Sequence, residues 1–136
     1  MGLIMASLGS QAFTTNLANS GPTAVTGLGK IAGLSLVCQF TATGGGGTCK
    51  VYVQTSLDDG ATWYDVASFA FTTASDVKYA NIDGFAQVAA AAVSTGTLAD
   101  NTNRHGLLSD RLRYVVTTAG TAYGAGSKVD VYYQTR

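Results

Sequence analysis

From Ile31 onward, apolar and polar positions alternate in short runs, with the period of two that a half-buried strand requires. In the first run, Ile31 to Ala42, Leu34, Leu36, Cys38 and Phe40 alternate with Ser35, Val37 and Gln39. The loop Thr43 to Thr48 follows. Then Cys49, Val51, Val53 and Thr55 alternate with Lys50, Tyr52 and Gln54, ending at Ser56. Two such runs joined by a short glycine loop predict a hairpin with a flexible connection. A turn at Leu57 to Ala61 leads into Thr62 to Thr72. There Trp63, Asp65, Ala67, Phe69 and Phe71 share one parity, and Tyr64, Val66, Ser68 and Ala70 the other. Asp76 to Ile82 predicts a shorter strand. Gln87 to Ser94 leaves two readings open, because Ala89–Ala92 suits either a helical turn or a closely packed strand. Thr95 to Asp110 is mostly loop. In Asp110 to Thr118, Leu112, Tyr114 and Val116 oppose Arg111, Arg113 and Val115. In Lys128 to Thr135, Val129, Val131 and Tyr133 oppose Asp130, Tyr132 and Gln134.

About seven or eight short strands punctuated by turns predict an all-β fold. The expected architecture is a two-sheet antiparallel β-sandwich of jelly-roll or immunoglobulin-like topology, with a small closed barrel as the alternative. Residues 31–136 form the expected sandwich domain, and residues 1–30 an N-terminal arm and first strand region. Met1 to Leu8 is apolar, and either docks on a neighbour or is a disordered end. It lacks the basic start and long apolar run of a secretory signal. No stretch nears the roughly 20 apolar residues of a membrane-spanning helix. The chain is therefore expected to be soluble and made in a cytosol.

Composition sharpens this picture. Charged residues make up 12% of the 136, about half the ordinary share. A surface so poor in charge suits a subunit that lives in an assembly. Every acidic residue is Asp, which favours turns over helices. The formal net charge is zero and no Lys/Arg block exists. Arg104, Arg111, Arg113 and Lys128 are too few and too scattered to neutralise a phosphate backbone, so direct nucleic-acid binding is not expected.

The run Ser56-Leu57-Asp58-Asp59-Gly60-Ala61-Thr62-Trp63 fits the pattern S-x-D-x-G-x-T-W, the Asp box. The Asp58 carboxylate is placed to accept turn N–H groups, and Gly60 to take positive φ. The Ser56 and Thr62 hydroxyls can satisfy strand ends, and Trp63 can cover the turn. Ser56, Asp58, Gly60, Thr62 and Trp63 are therefore expected as a structural turn. The motif resembles the turns of sialidase-type propeller blades, but a single copy in a chain of this length cannot build a propeller.

A wider resemblance starts from Val53–Phe71 and includes Asp100-Asn101-Thr102 and Gly106-Leu107-Leu108-Ser109-Asp110-Arg111-Leu112-Arg113. These runs resemble small structural-module proteins of tailed bacteriophages, over roughly Leu34 to the C-terminus. The resemblance implies a virion role, without a site to transfer.

Other chemistry is weakly supported. Cys38 and Cys49, on the two arms of the expected hairpin, would sit out of register for a disulfide and are expected as buried free thiols. With one distant His they give too few zinc ligands. His105 with Ser109 and Asp100 or Asp110 can be written as a triad, but no nucleophile elbow or oxyanion motif supports it. Asp58, Asp59 and Asp65 lack the spacing of a calcium loop. Arg111 and Arg113 share a direction and suit an acidic patch on a partner. No catalytic, cofactor or metal site is expected.

The expected function is a non-enzymatic virion component, head-associated as a capsid decoration or minor capsid protein. It would bind other virion proteins and itself as a homo-oligomer, through strand edges, the N-terminal arm and the loop Thr95 to Asp110. A neck, collar or tail protein is one alternative. The other is a receptor- or carbohydrate-binding module using Trp63, Tyr64, Tyr123, Tyr132 and Tyr133.

Overall fold

The computed structural model describes residues 5–136, which form a two-sheet antiparallel β-sandwich with no helix among them. The strands are β1 (Ala6–Ala12), β2 (Gly33–Thr41), β3 (Thr48–Thr55), β4 (Tyr64–Phe71), β5 (Asp76–Asp83), β6 (Leu112–Ala119) and β7 (Lys128–Thr135). Sheet 1 has the order β1-β7-β2-β5 and sheet 2 the order β4-β3-β6. With no helix present among the described residues, none is long and apolar enough to cross a membrane.

The alternation sets which side chains meet between the sheets. Leu34, Leu36, Cys38 and Phe40 of β2, Ile82 of β5 and Val129 and Val131 of β7 pack from sheet 1. Cys49, Val51 and Val53 of β3, Phe69 and Phe71 of β4 and Leu112, Tyr114 and Val116 of β6 pack from sheet 2. Each such aliphatic or aromatic side chain contributes roughly 1.5–3 kcal/mol by leaving water. Residues 6–30, expected as an arm and first strand, supply β1 along β7, and Leu8 and Phe13 enter the same core. The expectation for Met1–Leu8 lies partly outside the described residues.

The expected β2–β3 hairpin does not form. The two strands lie in different sheets, and the glycine loop crosses between them. Nor is the loop a loose connection. A Cβ on Gly46 would lie 2.2 Å from the Tyr123 ring, and one on Gly47 2.2 Å from the Ala119 carbonyl oxygen. Glycine is needed there because the backbone passes directly against residues 119–124, dropping Tyr123 between Phe13 and Phe40. The stretch Gln87 to Ser94 is neither helix nor strand but exposed irregular chain, apart from half-buried Ser94.

Strand pairing leaves four sheet edges, and the chain treats them differently. Along β6, residues 17–28 add an irregular strand through the bridges Ser20–Val116 and Val25–Leu112. Along β4, Thr102 and Arg104 bond to Ser68 and Val66. The β1 edge is broken by a bulge between Ser7 and Gly9, with the Tyr114 hydroxyl on the Gly9 carbonyl. The β5 edge is covered only near its end, by Asn103, His105 and Gly106.

Candidate functional site

The residues of the Asp box come together in one turn after β3. The Gly60 N–H donates to the Ser56 hydroxyl oxygen at 2.8 Å, and that hydroxyl donates to the Asp58 carboxylate at 2.9 Å. The Thr62 N–H donates to the same carboxylate oxygen at 2.8 Å. The Thr62 N–H and then the Ser56 hydroxyl hold Asp58 below the usual carboxylate range, because both stabilise its charged form. Gly60 has φ +87°, the left-handed conformation the motif requires. The Trp63 indole N–H donates back to the Gly60 carbonyl at 3.1 Å, so the ring closes the turn.

From this turn a polar network runs across the outer face of sheet 2. The Arg113 guanidinium lies over the Trp63 ring, 4.5 Å from its centroid. Arg113 Nε donates to Gln54 Oε1 at 2.8 Å, and Gln54 Nε2 donates to Asp65 at 2.9 Å. Asp65 is fully buried, and its carboxylate also accepts the Ser94 hydroxyl and the N–H groups of Gly96, Thr97 and Leu98. Burial alone would raise its pKa. The hydrogen bonds from Gln54, Gly96, Thr97 and Ser94 outweigh burial and hold it below the usual range. Beside this anchor, Leu98 packs on Tyr52 and Val115, and Asp100 pairs with Lys50 at 3.0 Å. The loop from Thr95, expected as an intersubunit contact, is thus tied across its own sheet.

The sequence reading missed Asp65 as an anchor. A bulge between Val53 and Gln54 makes Asp65, not Val66, the partner of Gln54. It turns the acid to the outer face while Ala67, Phe69 and Phe71 keep to the core. Its only sequence signal was an acid inside an otherwise apolar run.

The remaining candidate groups are dispersed. The Ser109 hydroxyl bonds to Thr55 and to the Ser56 carbonyl, and His105 Nδ1 accepts the Asp83 N–H at 2.9 Å. Asp110 pairs with Arg111, and Asp100 with Lys50. Ser109, His105, Asp100 and Asp110 therefore each have separate structural partners. Asp58, Asp59 and Asp65 diverge as well: Asp58 faces its turn, Asp59 meets Arg111 at 2.9 Å, and Asp65 holds the loop. Among the described residues no group of three His, Cys, Asp or Glu side chains could hold a metal ion. Arg111 and Arg113, expected to meet a partner, are engaged within the chain. Cys38 and Cys49 are buried free thiols on facing sheets rather than on one hairpin. Burial pushes the Cys49 thiol up to about 12 and Cys38 higher still, with the nearby Cys49 adding to the rise at Cys38.

What remains available to a partner is surface. Val77, Tyr79, Phe85, Val88 and Val93 are each more than half exposed, and all lie between residues 77 and 93. The outer face of sheet 1 carries a cross-strand row, Tyr79–Val37–Tyr132, beside a second row, Asn81–Ser35–Gln134. Of the aromatics proposed for sugar binding, Trp63 is used in its turn and Tyr123 is buried in the core, whereas Tyr132 lies on this open face. No family model matches the chain, and no curated protein or solved structure matches it.

Proposed function

We propose that this chain is a structural subunit of a tailed-phage virion, head-associated as a decoration or minor capsid protein, and that it acts through protein–protein contacts. The observation that carries the reading is the apolar surface between residues 77 and 93, where five large hydrophobic side chains stand more than half exposed. From Gly84 to Ala99 the chain carries no charge at all. Exposed apolar side chains concentrated in one stretch of chain suit an interaction surface. The sequence resemblance to phage structural-module proteins supplies the assembly. His105, Ser109, Asp100 and Asp110 are spent on tying down turns and loops, which fits a scaffold role.

The test is mass spectrometry and image reconstruction of purified particles from a phage encoding this chain. Density for the sandwich on the capsid is expected. Density at the neck, collar or tail would move the subunit while keeping its class, and absence from the particle would overturn the reading. A second reading, a carbohydrate-binding module, draws on the Tyr79–Val37–Tyr132 row with its flanking amides. Two strand spacings separate the rings by about 10 Å, within the span of a disaccharide. Glycan-array binding lost in Tyr132→Ala would favour that reading.

A further inference from the structure

We propose that the open edge of β5 pairs antiparallel with β5 of a second copy, joining two sheets 1 into one continuous sheet across a two-fold axis. The inference rests on reading the chain as an assembling subunit, and it names the contact.

Strand geometry identifies which backbone groups are free. In β5 the Asp83 N–H and C=O and the Asn81 C=O face away from β2, toward His105, Gly106 and Asn103. The Gly84 N–H, one residue on, bonds back to Ala32 beside β2. By alternation, the N–H and C=O of Tyr79 and of Val77 also face the open edge. Among the described residues, Tyr79 has no partner there, and the Val77 N–H is covered only by its neighbour Asp76, at 2.8 Å. The same two residues present their side chains to water, Val77 at 56% and Tyr79 at 79% exposure. A groove of about 450 Å³ runs beside this edge, between Val77–Ala80 and Asn101–Asn103, and an added strand would roof it. The other three edges are covered or bulged by the chain itself, the usual protection against strand addition.

The strand is complementary to itself in one register. With Val77 on the two-fold axis, Val77 meets its copy, Ser75 meets Tyr79 and Asp76 meets Lys78 of the second chain, in both directions. This sets the edge-facing Val77 opposite itself, as antiparallel hydrogen bonding demands, and extends the pairing one residue past the start of β5 at Asp76 to bring Ser75 to Tyr79. It sets opposite charges across the pair twice, which favours the register, with each Lys78 ammonium turning to the carboxylate from the Ala70 carbonyl and Asn101 Oδ1 of its own chain, which it meets at 2.6 and 3.1 Å. It also stops short of Asn81, where Asn103, His105 and Gly106 already cover the strand. A register centred on Tyr79 would run into that covered end and leave Lys78 opposite Ala80. On pairing, the Val77 N–H would pass from Asp76 to the second chain, releasing the carboxylate for Lys78.

The experiment is sedimentation velocity on the full chain across micromolar to millimolar concentration, with circular dichroism and Trp63 fluorescence checking the fold of each variant. Wild type is expected to dimerise. Asp76→Lys, which sets like charges across the axis, should weaken dimerisation at least tenfold, and the double variant Asp76→Lys/Lys78→Asp should restore it. Val77→Pro removes an edge-facing N–H without touching the β2 ladder, so it should block pairing in any register. A wild-type dimer indifferent to Val77→Pro would overturn the inference but leave the subunit reading standing. A chain monomeric throughout would overturn it as well, and particle binding would then decide the subunit reading alone. A monomer whose particle binding is lost in Val77→Pro would assign the edge to a strand of a different virion protein, again against a second copy.

Discussion

Asp65→Ala is expected to destabilise the sandwich by about 3 kcal/mol, the size of effect that follows from breaking a buried hydrogen-bond network. The carboxylate accepts bonds from Gln54, Ser94, Gly96, Thr97 and Leu98, yet these share one side chain and do not add. The cost lies in the donors left behind. Gln54 Nε2 and the Leu98 N–H belong to buried residues, and each orphaned donor costs roughly 1–3 kcal/mol. Relief of the buried charge's desolvation offsets part of that sum. Asp65→Asn keeps the shape and one acceptor oxygen, so about half the loss is expected. Urea denaturation followed by Trp63 fluorescence measures the total, and amide hydrogen exchange at residues 94–104 measures the local part. Because the folded pKa lies below the ordinary 3.8, the carboxylate's contribution is complete above that value and is lost as pH falls through the lower folded one. Protection at Gly96–Leu98, taken relative to the intrinsic exchange rate at each pH, should therefore hold at about pH 5 and fall only in stronger acid. A change under about 0.5 kcal/mol in Asp65→Ala, the range of ordinary surface substitutions, with Gly96–Leu98 still protected, would refute the anchor role.

Gly60→Ala should cost about 1–2 kcal/mol through backbone strain alone, since a Cβ there meets only ordinary contacts, and thermal unfolding of the variant checks it. Gly46→Ala forces a Cβ into the Tyr123 ring and should cost about 1–3 kcal/mol, read by denaturation and by loss of the near-ultraviolet tyrosine signal. The thiols of Cys38 and Cys49 should resist Ellman's reagent in the folded chain at pH 8 and react fully in urea. Fast reaction of either in native buffer would contradict their burial.

Most of the strands from β2 to β7 were legible because they carry their own period of two, a local property that survives whatever the strand pairs with; β5 is the exception, its apolar Val77 and Tyr79 facing water. Pairing is not local. The glycine loop looked like a hairpin because length and composition there suit one, but β2 pairs with β5 and β7 and β3 with β4 and β6, so the loop passes from one sheet to the other, packed against Tyr123. β1 was harder to see: in Ala-Ser-Leu-Gly-Ser-Gln-Ala only Leu8 is buried, and the strand forms because β7 offers it a ladder. The turn of the Asp box was easier to read, since its residues act on one another locally, but Thr62 takes part through its N–H, and the Ser56 hydroxyl binds within the turn rather than at a strand end. The anchor at Asp65 was not, because it depends on a one-residue bulge and on a loop some thirty positions away.

The position of β7 bears on how the protein is made. Sheet 1 is ordered β1-β7-β2-β5, so the strand translated after all the others is the one that joins β1 to β2. Until β7 has emerged from the ribosome, one flank of β2 stands unpaired and β1 has no ladder, although the β3–β4 hairpin can already close. The nascent chain must therefore wait half-built, with an apolar strand bare, and insert its keystone last. Such long-range closure is slow and exposes the intermediate to aggregation, and truncation within β7 would leave β1 and one flank of β2 without their ladder.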